Sequence, residues 1–552
     1  MLTVKIVNTG ETLKVEACTT LEALRQKLED RKYVTAALVD NEMQNLNHSL
    51  TADCEVEFLS LSTIPGNKVY ERSLLMLFVT AYEQTQQDSS IYVRRSSGGG
   101  VYCEPVNPKE MITGEMLMQI KEAMYEMRDN NVPFNIVSME RDEAAEMFSY
   151  EGRDEVASIV KLLDSEKVEL CELNGYYDYY YGKMLTTAGE IFAFDIVQRP
   201  PGVVLLWPSR ENPEKLNKYQ ANRKLFAEGY KYERWGDFLG VNHIANLNEM
   251  VQSSAINDLI IIAEDRHQYF INMVADEIAA SRKDVKIILM SGPTSAGKTT
   301  TSKRLRNQLI VRGVRPHTIE MDNYFFSRTE TPLGEDGKPD FESISAVDVM
   351  LFNDHLEQLS VGEEVQMPLY NFVTGQREAG EILKIGEDDI LIVEGIHGLN
   401  EALTRRIPKN KKYKVYLNAL TQLNIDQHNY IPTSDTRLIR RIVRDSRVRG
   451  NSAESTMTMW EKIKKGEESN IFPYQEEADF IINTSLFYEF SVLKRYALPL
   501  LEKVERQSCC YSEAQRLIEL LSYFVPIENE RAILTNSVIR EFIGGSIYDD
   551  EE

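Results

Sequence analysis

The chain has 552 residues, of which 43% are hydrophobic and 27% are charged, proportions typical of folded globular protein. This length exceeds what one hydrophobic core supports, so we expect several domains. The formal net charge of −24 excludes a protein devoted to nucleic-acid binding over its whole surface, because such surfaces need basic residues to replace counterions.

The N-terminal sequence MLTVKIVNTGETLKVE lacks the basic start and apolar core of a signal peptide. No apolar run approaches the roughly 20 residues that span a bilayer. The six cysteines form no CxxC pair, which is typical of free thiols in a reducing compartment. We therefore expect a cytoplasmic protein without membrane contact.

Residues 1–60 predict a small β-grasp domain. LTVKIVN and TLKVEA alternate apolar and polar residues around NTGET, which predicts a β-hairpin. Thr19 followed by Glu22 predicts a capping box that opens the short helix LEALRQKL. AALVD and CEVEFLSL supply two further strands.

Residues 61–210 predict a mixed α+β domain, with helices at SLLMLFVTAYEQ and EMLMQIKEAMYEMRDN. The glycines of SSGGGVYCEP precede a strand-like segment and open no helix, so they predict a turn between strands and not a phosphate-binding loop. The tyrosine cluster GYYDYYYGKM could stack nucleic-acid bases, although such clusters are more typical of a core or interface. Residues 211–283 predict a helical connector.

From residue 284 to about 505, strands and helices alternate in the manner of an α/β domain with a parallel sheet. Residues 506–552 predict a helical extension, with helix to about Phe542, and an acidic tail. The segment GPTSAGKT follows an apolar strand and fits the pattern G-x-x-x-x-G-K-[ST]. In this pattern the backbone N–H groups and Lys298 hold phosphates, and the Thr299 hydroxyl contacts Mg²⁺. The predicted ATP contacts of the loop are Gly292, Pro293, Thr294, Ser295, Ala296, Gly297, Lys298, Thr299 and Thr300.

Two acids directly follow or end apolar strands, where ligands lie in open α/β sheets. Asp322 in IEMDNYFF is placed to deprotonate an acceptor hydroxyl; taken alone, a helix N-cap or turn aspartate explains it equally well. Glu394 in ILIVEGIHG is suited to hold Mg²⁺ or its waters.

DTRLIRRIVRDSRVRG places Arg437, Arg440, Arg441 and Arg444 on one helical face. Such a face repels itself unless anions neutralise it, and ATP phosphates would do so. We favour a lid that closes over ATP, against the alternative of a solvated charged face.

These motifs together make residues 286–500 resemble the uridine kinase/phosphoribulokinase family of P-loop kinases. The motifs GPTSAGKTT, MDNYFF, PLYNFVTGQR, ILIVEGIHGLN, DTRLIRRIVRD and FPYQEEADFIINTS occur in the family's order. The resemblance implies Mg²⁺- and ATP-dependent phosphorylation of a ribose 5′-hydroxyl, with Asp322 as base and Lys298, Arg437 and Arg440 as further catalytic residues. Arg441 and Arg444 would contact ATP, and Thr299 and Glu394 would hold Mg²⁺. The implied acceptor contacts are Asp322, Tyr324, Phe341, Glu342, Tyr370, Phe372 and Arg437.

Two departures from the family pattern concern the acceptor. Glu342 stands where uridine–cytidine kinases usually carry aspartate for the ribose hydroxyls, and Gly375 stands where they carry a histidine at the base edge. Glycine offers no side-chain hydrogen bond, so the preferred base stays open.

Residues 1–60 resemble the TGS domain, and residues 61–210 resemble the second, editing domain of threonyl-tRNA synthetases. The editing site of that family uses an H-x-x-x-H pair, a cysteine and a further histidine. Here Arg72, Met76, Tyr180 and Met184 stand at those positions, and none of the seven histidines lies in residues 61–210. We expect a retained scaffold for packing, dimerisation or ligand sensing, with tRNA binding through this half as the less favoured alternative.

The sequence thus predicts a nucleoside kinase that phosphorylates a ribonucleoside, with uridine or cytidine as the first candidates. One alternative is a kinase for another small acceptor, such as a sugar phosphate. A second is an RNA-binding regulator switched by ATP. Homo-oligomer formation is left open.

Overall fold

The computed structural model describes residues 1–87, 89–334, 337–421 and 423–549. Its first 60 residues form a five-stranded sheet in the order β2-β1-β5-β3-β4, in which β1 and β5 are parallel and the other neighbours antiparallel. The predicted hairpin is confirmed, but the N-cap of α1 is Thr20, whose Oγ1 accepts from the Ala23 N–H at 3.3 Å, and not Thr19. The elements are β1 (Leu2–Ile6), β2 (Thr12–Val15), α1 (Leu21–Arg25), β3 (Val34–Val39), β4 (Glu42–Gln44) and β5 (Cys54–Ser60).

The next 150 residues wrap two antiparallel sheets around the long helix α2, whose side chains from Val69 to Tyr82 are largely buried. One sheet has the order β11-β12-β7-β6 and the other β10-β9-β8. The elements are α2 (Ile64–Thr85), β6 (Ile91–Ser97), β7 (Gly100–Pro105), α3 (Gly114–Asp129), β8 (Asn135–Glu140), α4 (Arg141–Tyr150), α5 (Asp154–Lys161), β9 (Lys167–Leu173), β10 (Tyr176–Asp178), β11 (Asp195–Arg199) and β12 (Gly202–Leu206).

The glycine run after β6 is a hairpin turn, as predicted. Gly98 and Gly99 have φ of +60° and +89°, a region that favours glycine. A Cβ on Gly100 would lie 1.9 Å from the carbonyl oxygen of Leu205. These glycines therefore let the chain turn and let β12 approach β7.

The connector is helical, as expected, and consists of α6 (Arg223–Leu239), α7 (Ile244–Gln252) and α8 (Ala255–Ala280). The first half of α8 packs into the core that surrounds two later helices, Thr433–Arg449 and Glu489–Leu501, and its second half packs against the C-terminal sheet. One continuous helix thereby joins two hydrophobic cores.

The C-terminal half is a P-loop fold built on a five-stranded sheet in the order β14-β17-β13-β18-β19. Every neighbouring pair is parallel, so the carboxyl ends of all five strands lie at one edge. A separate antiparallel hairpin, β15–β16, projects beside it. The elements are β13 (Ile287–Ser291), α9 (Lys298–Val311), β14 (Arg315–Glu320), α10 (Val349–Ser360), β15 (Val365–Asn371), β16 (Gln376–Leu383), β17 (Asp389–Glu394), β18 (Lys412–Asn418), α11 (Thr433–Arg449), α12 (Ala453–Asn470), β19 (Phe480–Asn483) and α13 (Glu489–Leu501).

After α14 (Tyr511–Ser522) the chain is mostly irregular until the short α15 (Arg540–Ile543), so the predicted continuous helix to Phe542 is wrong. Val538, Ile539 and Phe542 are fully buried, which anchors residues 537–549, called here the C-terminal segment, against α9 and α11. Within the described residues, no helix combines the length and apolar character needed to span a bilayer.

Candidate active site

The conformation of the loop between β13 and α9 requires glycine at two positions of the sequence motif. A Cβ on Gly292 would lie 2.2 Å from the carbonyl oxygen of Leu417, and Gly297 has a φ of +76° at the start of α9. Lys298 Nζ donates to the carbonyl oxygens of Gly292 and Pro293 at 3.0 and 3.2 Å. The ammonium group and the first N–H groups of α9 therefore meet at one point, the arrangement that holds phosphate in such loops.

Thr299 and Glu394 lie together beneath this loop. Thr299 Oγ1 donates to Glu394 Oε1 at 2.9 Å, and Glu394 ends β17 beside β13. Burial raises the pKa of Glu394 to about 7, while the Lys298 charge opposes the rise. Two adjacent oxygen ligands and an under-compensated carboxylate fit a hard divalent cation such as Mg²⁺.

Asp322 lies one strand further along the same edge, in a single turn from Met321 to Tyr324 that directly follows β14. The N-cap of that turn is Glu320, so Asp322 caps no helix. Burial raises the pKa of Asp322, and the charges of Lys298 and Arg449 oppose this. Arg449, at the end of α11, was not anticipated from the sequence.

Aromatic rings line the space between Asp322 and the β15–β16 hairpin. The ring of Tyr370 lies 6.2 Å from that of Phe341 and 5.0 Å from that of Phe372, measured between centroids. Phe325 contacts both Phe341 and Tyr370. The Phe372 side chain is 60% exposed, so one wall of this aromatic cluster is open to a ligand.

The substrate contact expected of Tyr324 stays a prediction, since the side chain packs into the core in this structure. Its ring is fully buried and packs edge-on against Phe352, and its hydroxyl lies 3.1 Å from Nδ1 of His355. The turn after β14 directs this side chain into the core, whereas the neighbouring Asp322 lies at the sheet edge.

Glu342 faces the same centre as Lys298. Its side chain packs on α12 at Gly466, where an added Cβ would lie 2.5 Å from the Glu342 Cβ. Burial and then the negative charge of Glu467 raise the pKa of Glu342 to about 7, against the opposing charges of Arg441 and Lys298. A carboxyl group held in this way can accept hydrogen bonds from acceptor hydroxyls at neutral pH and above.

The arginine face of α11 does not need phosphate for its neutrality, so that premise of the lid prediction is wrong. Arg437 makes a bidentate pair with the buried Glu467 at 2.6 and 2.8 Å. Arg441 and Arg444 both contact the buried Asp445, at 3.1 and 3.0 Å. Carboxylates of the chain itself therefore neutralise the arginine face.

Arg440 supports the P-loop in this fold, and the catalytic role predicted for it stays a prediction. The side chain is fully buried. It donates to Glu489 Oε2 at 2.6 Å and to the carbonyl oxygens of Ser295 and Thr484 at 3.2 and 2.8 Å. These bonds fix the P-loop from behind and leave the guanidinium no face toward the cleft.

Glu467 is the acid that sequence reasoning missed most clearly. It accepts the Thr294 N–H at 2.9 Å while it pairs with Arg437, so it ties α12 and α11 to the P-loop. Arg441 adds a bond from Nη1 to Thr294 Oγ1 at 2.7 Å. In the sequence Glu467 sits in the run KKGEESN, which carries no signal that this one glutamate is buried.

Gly375 lies at the turn of the β15–β16 hairpin with a φ of +70°. The space that a side chain would need there is filled by Arg328, whose Nε lies 2.8 Å from the position of an added Cβ. Arg328 also donates from Nη2 to the Phe372 carbonyl oxygen at 2.8 Å. An arginine therefore stands beside the aromatic cluster.

A second cleft lies between the N-terminal half and the segment that joins β18 to α11. It encloses about 50 Å³ and is lined by residues that include Arg72, Tyr180 and His428. His428 Nδ1 lies 2.6 Å from Oδ2 of Asp178, which also pairs with Arg153. None of the seven histidines lies in residues 61–210 of the sequence. In the structure, His428 of the C-terminal half enters this cleft.

The C-terminal half is thus a P-loop fold that places a lysine and a threonine at the start of α9, a strand-end glutamate and a strand-end aspartate beside an open aromatic cluster. Residues 287–486 match the family model described as "Phosphoribulokinase / Uridine kinase family". The uridine kinase of Halobacterium salinarum is 28% identical over 195 residues, which cover 35% of this chain and 77% of the relative. The uridine kinase of Clostridium tetani is 30% identical over 202 residues, 36% of this chain and 85% of the relative. A solved structure described as a possible uridine kinase from Bacillus stearothermophilus aligns over 36% of this chain and 89% of that chain, with 17% identity and a TM-score of 0.24.

Through residues 287–486 the chain belongs to the phosphoribulokinase/uridine kinase family. It is a phosphotransferase that acts on an alcohol group.

Proposed function

We propose that this protein phosphorylates the 5′-hydroxyl of a ribonucleoside with ATP and Mg²⁺. The observation that carries the proposal is the shared edge of the parallel sheet, where the P-loop with Lys298, the strand-end Glu394 and the turn with Asp322 lie on neighbouring strands. In support, the Lys298 charge opposes the rise that burial causes in the pKa of Asp322 and of Glu342. The matching relatives, which are named uridine kinases, support a nucleoside as the acceptor.

Lys298 and the N–H groups of the P-loop would bind the ATP phosphates. Thr299 and Glu394 would hold Mg²⁺, which when bound supplies positive charge that offsets the charge of the phosphates. We retain Arg441, which donates to Thr294 Oγ1 of the loop, and Arg444, three residues further along α11, as ATP contacts. Arg437 would act on the phosphates or the acceptor only if its pair with Glu467 opens.

Asp322 would accept the proton of the acceptor hydroxyl as that oxygen attacks the terminal phosphorus of ATP. Glu342 would bind the ribose hydroxyls, and Phe341, Tyr370 and Phe372 would stack against the base. A carboxylate whose pKa is already raised by burial is a better proton acceptor than an exposed aspartate, and Asp322 meets this condition.

A second candidate acceptor is a sugar phosphate, and Arg328 is the observation that favours it. The Arg328 guanidinium lies beside Gly375 and Phe372 at the rim of the aromatic cluster. A cation at that position suits an anionic acceptor as well as the carbonyl groups of a base.

The N-terminal half is proposed to be a TGS-like β-grasp domain at residues 1–60 and an editing-domain-like scaffold at residues 61–210. The central parallel pair β1–β5 and a hydrophobic core confined to the first 60 residues support the first assignment. The scaffold assignment is supported by the buried side chains of Met76, Tyr180 and Met184 and by the insertion of His428 into its cleft. We keep 211–283 as connector, 284–505 as kinase domain and 506–552 as C-terminal extension.

The test is a panel assay on the full chain with ATP and Mg²⁺. Uridine, cytidine, adenosine, guanosine and ribulose 5-phosphate are compared by the rate of ADP release. We expect turnover with at least one nucleoside. Turnover with the sugar phosphate alone would replace the nucleoside by the second candidate. Salt-sensitive tRNA binding without turnover of any acceptor would favour the RNA-binding alternative.

A further inference from the structure

The first turn of α9 already carries an anion from the chain itself. The backbone N–H and the hydroxyl of Thr300 both donate to Oε2 of Glu541, at 3.2 and 2.8 Å. Thr300 follows Lys298 and Thr299 in the phosphate-binding motif. Because N–H groups at the start of a helix bind anions, the Glu541 carboxylate lies where a nucleotide phosphate would bind.

The C-terminal segment holds Glu541 in this position from both sides. Arg447 of α11 donates to the carbonyl oxygens of Glu541 and Phe542 at 3.0 and 3.3 Å. Lys303 of α9 donates to the carbonyl oxygen of Tyr548 at 2.9 Å. The segment therefore runs across the N-terminal turns of α9.

The segment also closes onto the loop. A Cβ on Gly297 would lie 2.2 Å from Cγ2 of Val538, so the loop and the segment are in direct contact at this glycine. Val538 and Phe542 are fully buried, whereas the Glu541 carboxylate between them is held by Thr300 alone among the hydrogen bonds of the described residues.

We propose that the C-terminal segment is an autoinhibitory plug in which the Glu541 carboxylate occupies a phosphate position of the nucleotide site and ATP must displace it. The buried anchors Val538 and Phe542 stay in place while the Glu541 side chain and residues 544–549 move. Gly544 and Gly545, with φ of +91° and +72°, mark the point where the backbone can turn away. This inference rests on the ATP site proposed above.

The experiment measures the Kd of Mg²⁺-ATP by isothermal titration calorimetry on the full chain, with Glu541→Ala and Glu541→Gln beside the wild type. The matched control is Asp549→Asn, which removes a carboxylate of the same segment that pairs with Arg447 and not with Thr300. We expect Glu541→Ala to bind ATP about tenfold more tightly, the scale of one charge at a helix terminus. Glu541→Gln should be intermediate, and Asp549→Asn unchanged.

Hydrogen exchange supplies a second readout that does not depend on any variant. ATP should raise the exchange of amides in residues 544–549 of the wild type. Wild-type ATP binding with no gain, or a loss, of affinity in Glu541→Ala would overturn the plug and leave the ATP site standing. If neither the wild type nor any variant binds ATP, the proposed function fails, and the plug fails with it.

Discussion

Replacement of Arg440 by Met tests whether this arginine is a structural support or part of a lid. The substitution keeps the volume and removes the guanidinium, so the buried Glu489 loses its charged partner and the carbonyl oxygens of Ser295 and Thr484 each lose a donor. Removal of one partner from a buried ion pair costs about 3–5 kcal/mol. Glu489 keeps bonds from Ser485 Oγ and the Leu486 N–H, which favours the lower end of that range.

For a unit of about 200 residues, 1 kcal/mol shifts the Tm by about 2–4 °C, so we expect the kinase transition to fall by about 10 °C in differential scanning calorimetry. The double variant R440M/E489Q should recover part of this loss, because the buried charge is removed with its partner. Arg444→Met, a partly exposed arginine of the same helix, is the control and should shift the Tm by less than about 2 °C. A variant R440M with wild-type Tm and a lower kcat would refute the structural role and restore the lid.

Three further outcomes are expected. Lys298→Ala should weaken ATP binding about 30-fold in calorimetry, the scale of a lost charged hydrogen bond. The Tm should change little, because Lys298 donates only to carbonyl oxygens of the loop in this structure. Unchanged ATP affinity would remove Lys298 from the phosphate site. Glu342→Gln should stabilise the protein by about 3 kcal/mol at pH 8 and by less than about 1 kcal/mol at pH 5. The reason is that a folded-state pKa of about 7 penalises the ionised acid increasingly as the pH rises above its unfolded pKa. Equal Tm differences at both pH values would contradict this. Asp178→Asn should destabilise the contact between the two halves at pH 7, since Arg153 and His428 lower the pKa of Asp178 despite its burial. The stabilisation that Asp178 provides is present above its unfolded pKa and is lost as the pH falls through its folded pKa. The Tm difference between the wild type and Asp178→Asn should therefore be smaller at pH 3 than at pH 7. An equal difference at both pH values would argue against this ion pair.

The sequence predicted those parts of the site that depend on local pattern. The P-loop follows from a strand, a glycine motif and a helix in order, and Glu394 and Asp322 follow because the carboxyl ends of parallel strands meet at one edge. The structure has this parallel sheet, with Glu394 next to Thr299 at 2.9 Å.

The sequence did not predict which charges neutralise each other across the fold. Arg437 meets Glu467 at a separation of 30 residues, and Thr300 meets Glu541 at a separation of 241. A helical wheel shows the arginines of α11 but not Glu467 of α12 and Glu489 of α13, which pair with Arg437 and Arg440. Asp445, which contacts Arg441 and Arg444, lies on α11 itself, and the sequence did offer that acid. His428 was missed for the same reason, because it is 250 residues from Asp178 in the sequence and only the tertiary structure brings the two side chains together.

Tyr324 shows the limit of resemblance at a turn. It lies two residues from Asp322 in the same motif, yet a single turn sends the aspartate to the sheet edge and the tyrosine into the core beside His355. The direction of each side chain in such a turn depends on packing that the motif alone does not encode.

The central claim is that phosphoryl transfer to an alcohol occurs at Asp322, and the most direct test is the variant Asp322→Asn. Asparagine keeps the shape of the side chain and cannot accept the proton of the acceptor. With the best acceptor from the panel, we expect kcat to fall at least about 100-fold, the lower range for loss of a general base, while the calorimetric Kd for ATP stays within a few-fold of wild type. Near-normal kcat in Asp322→Asn would contradict the claim.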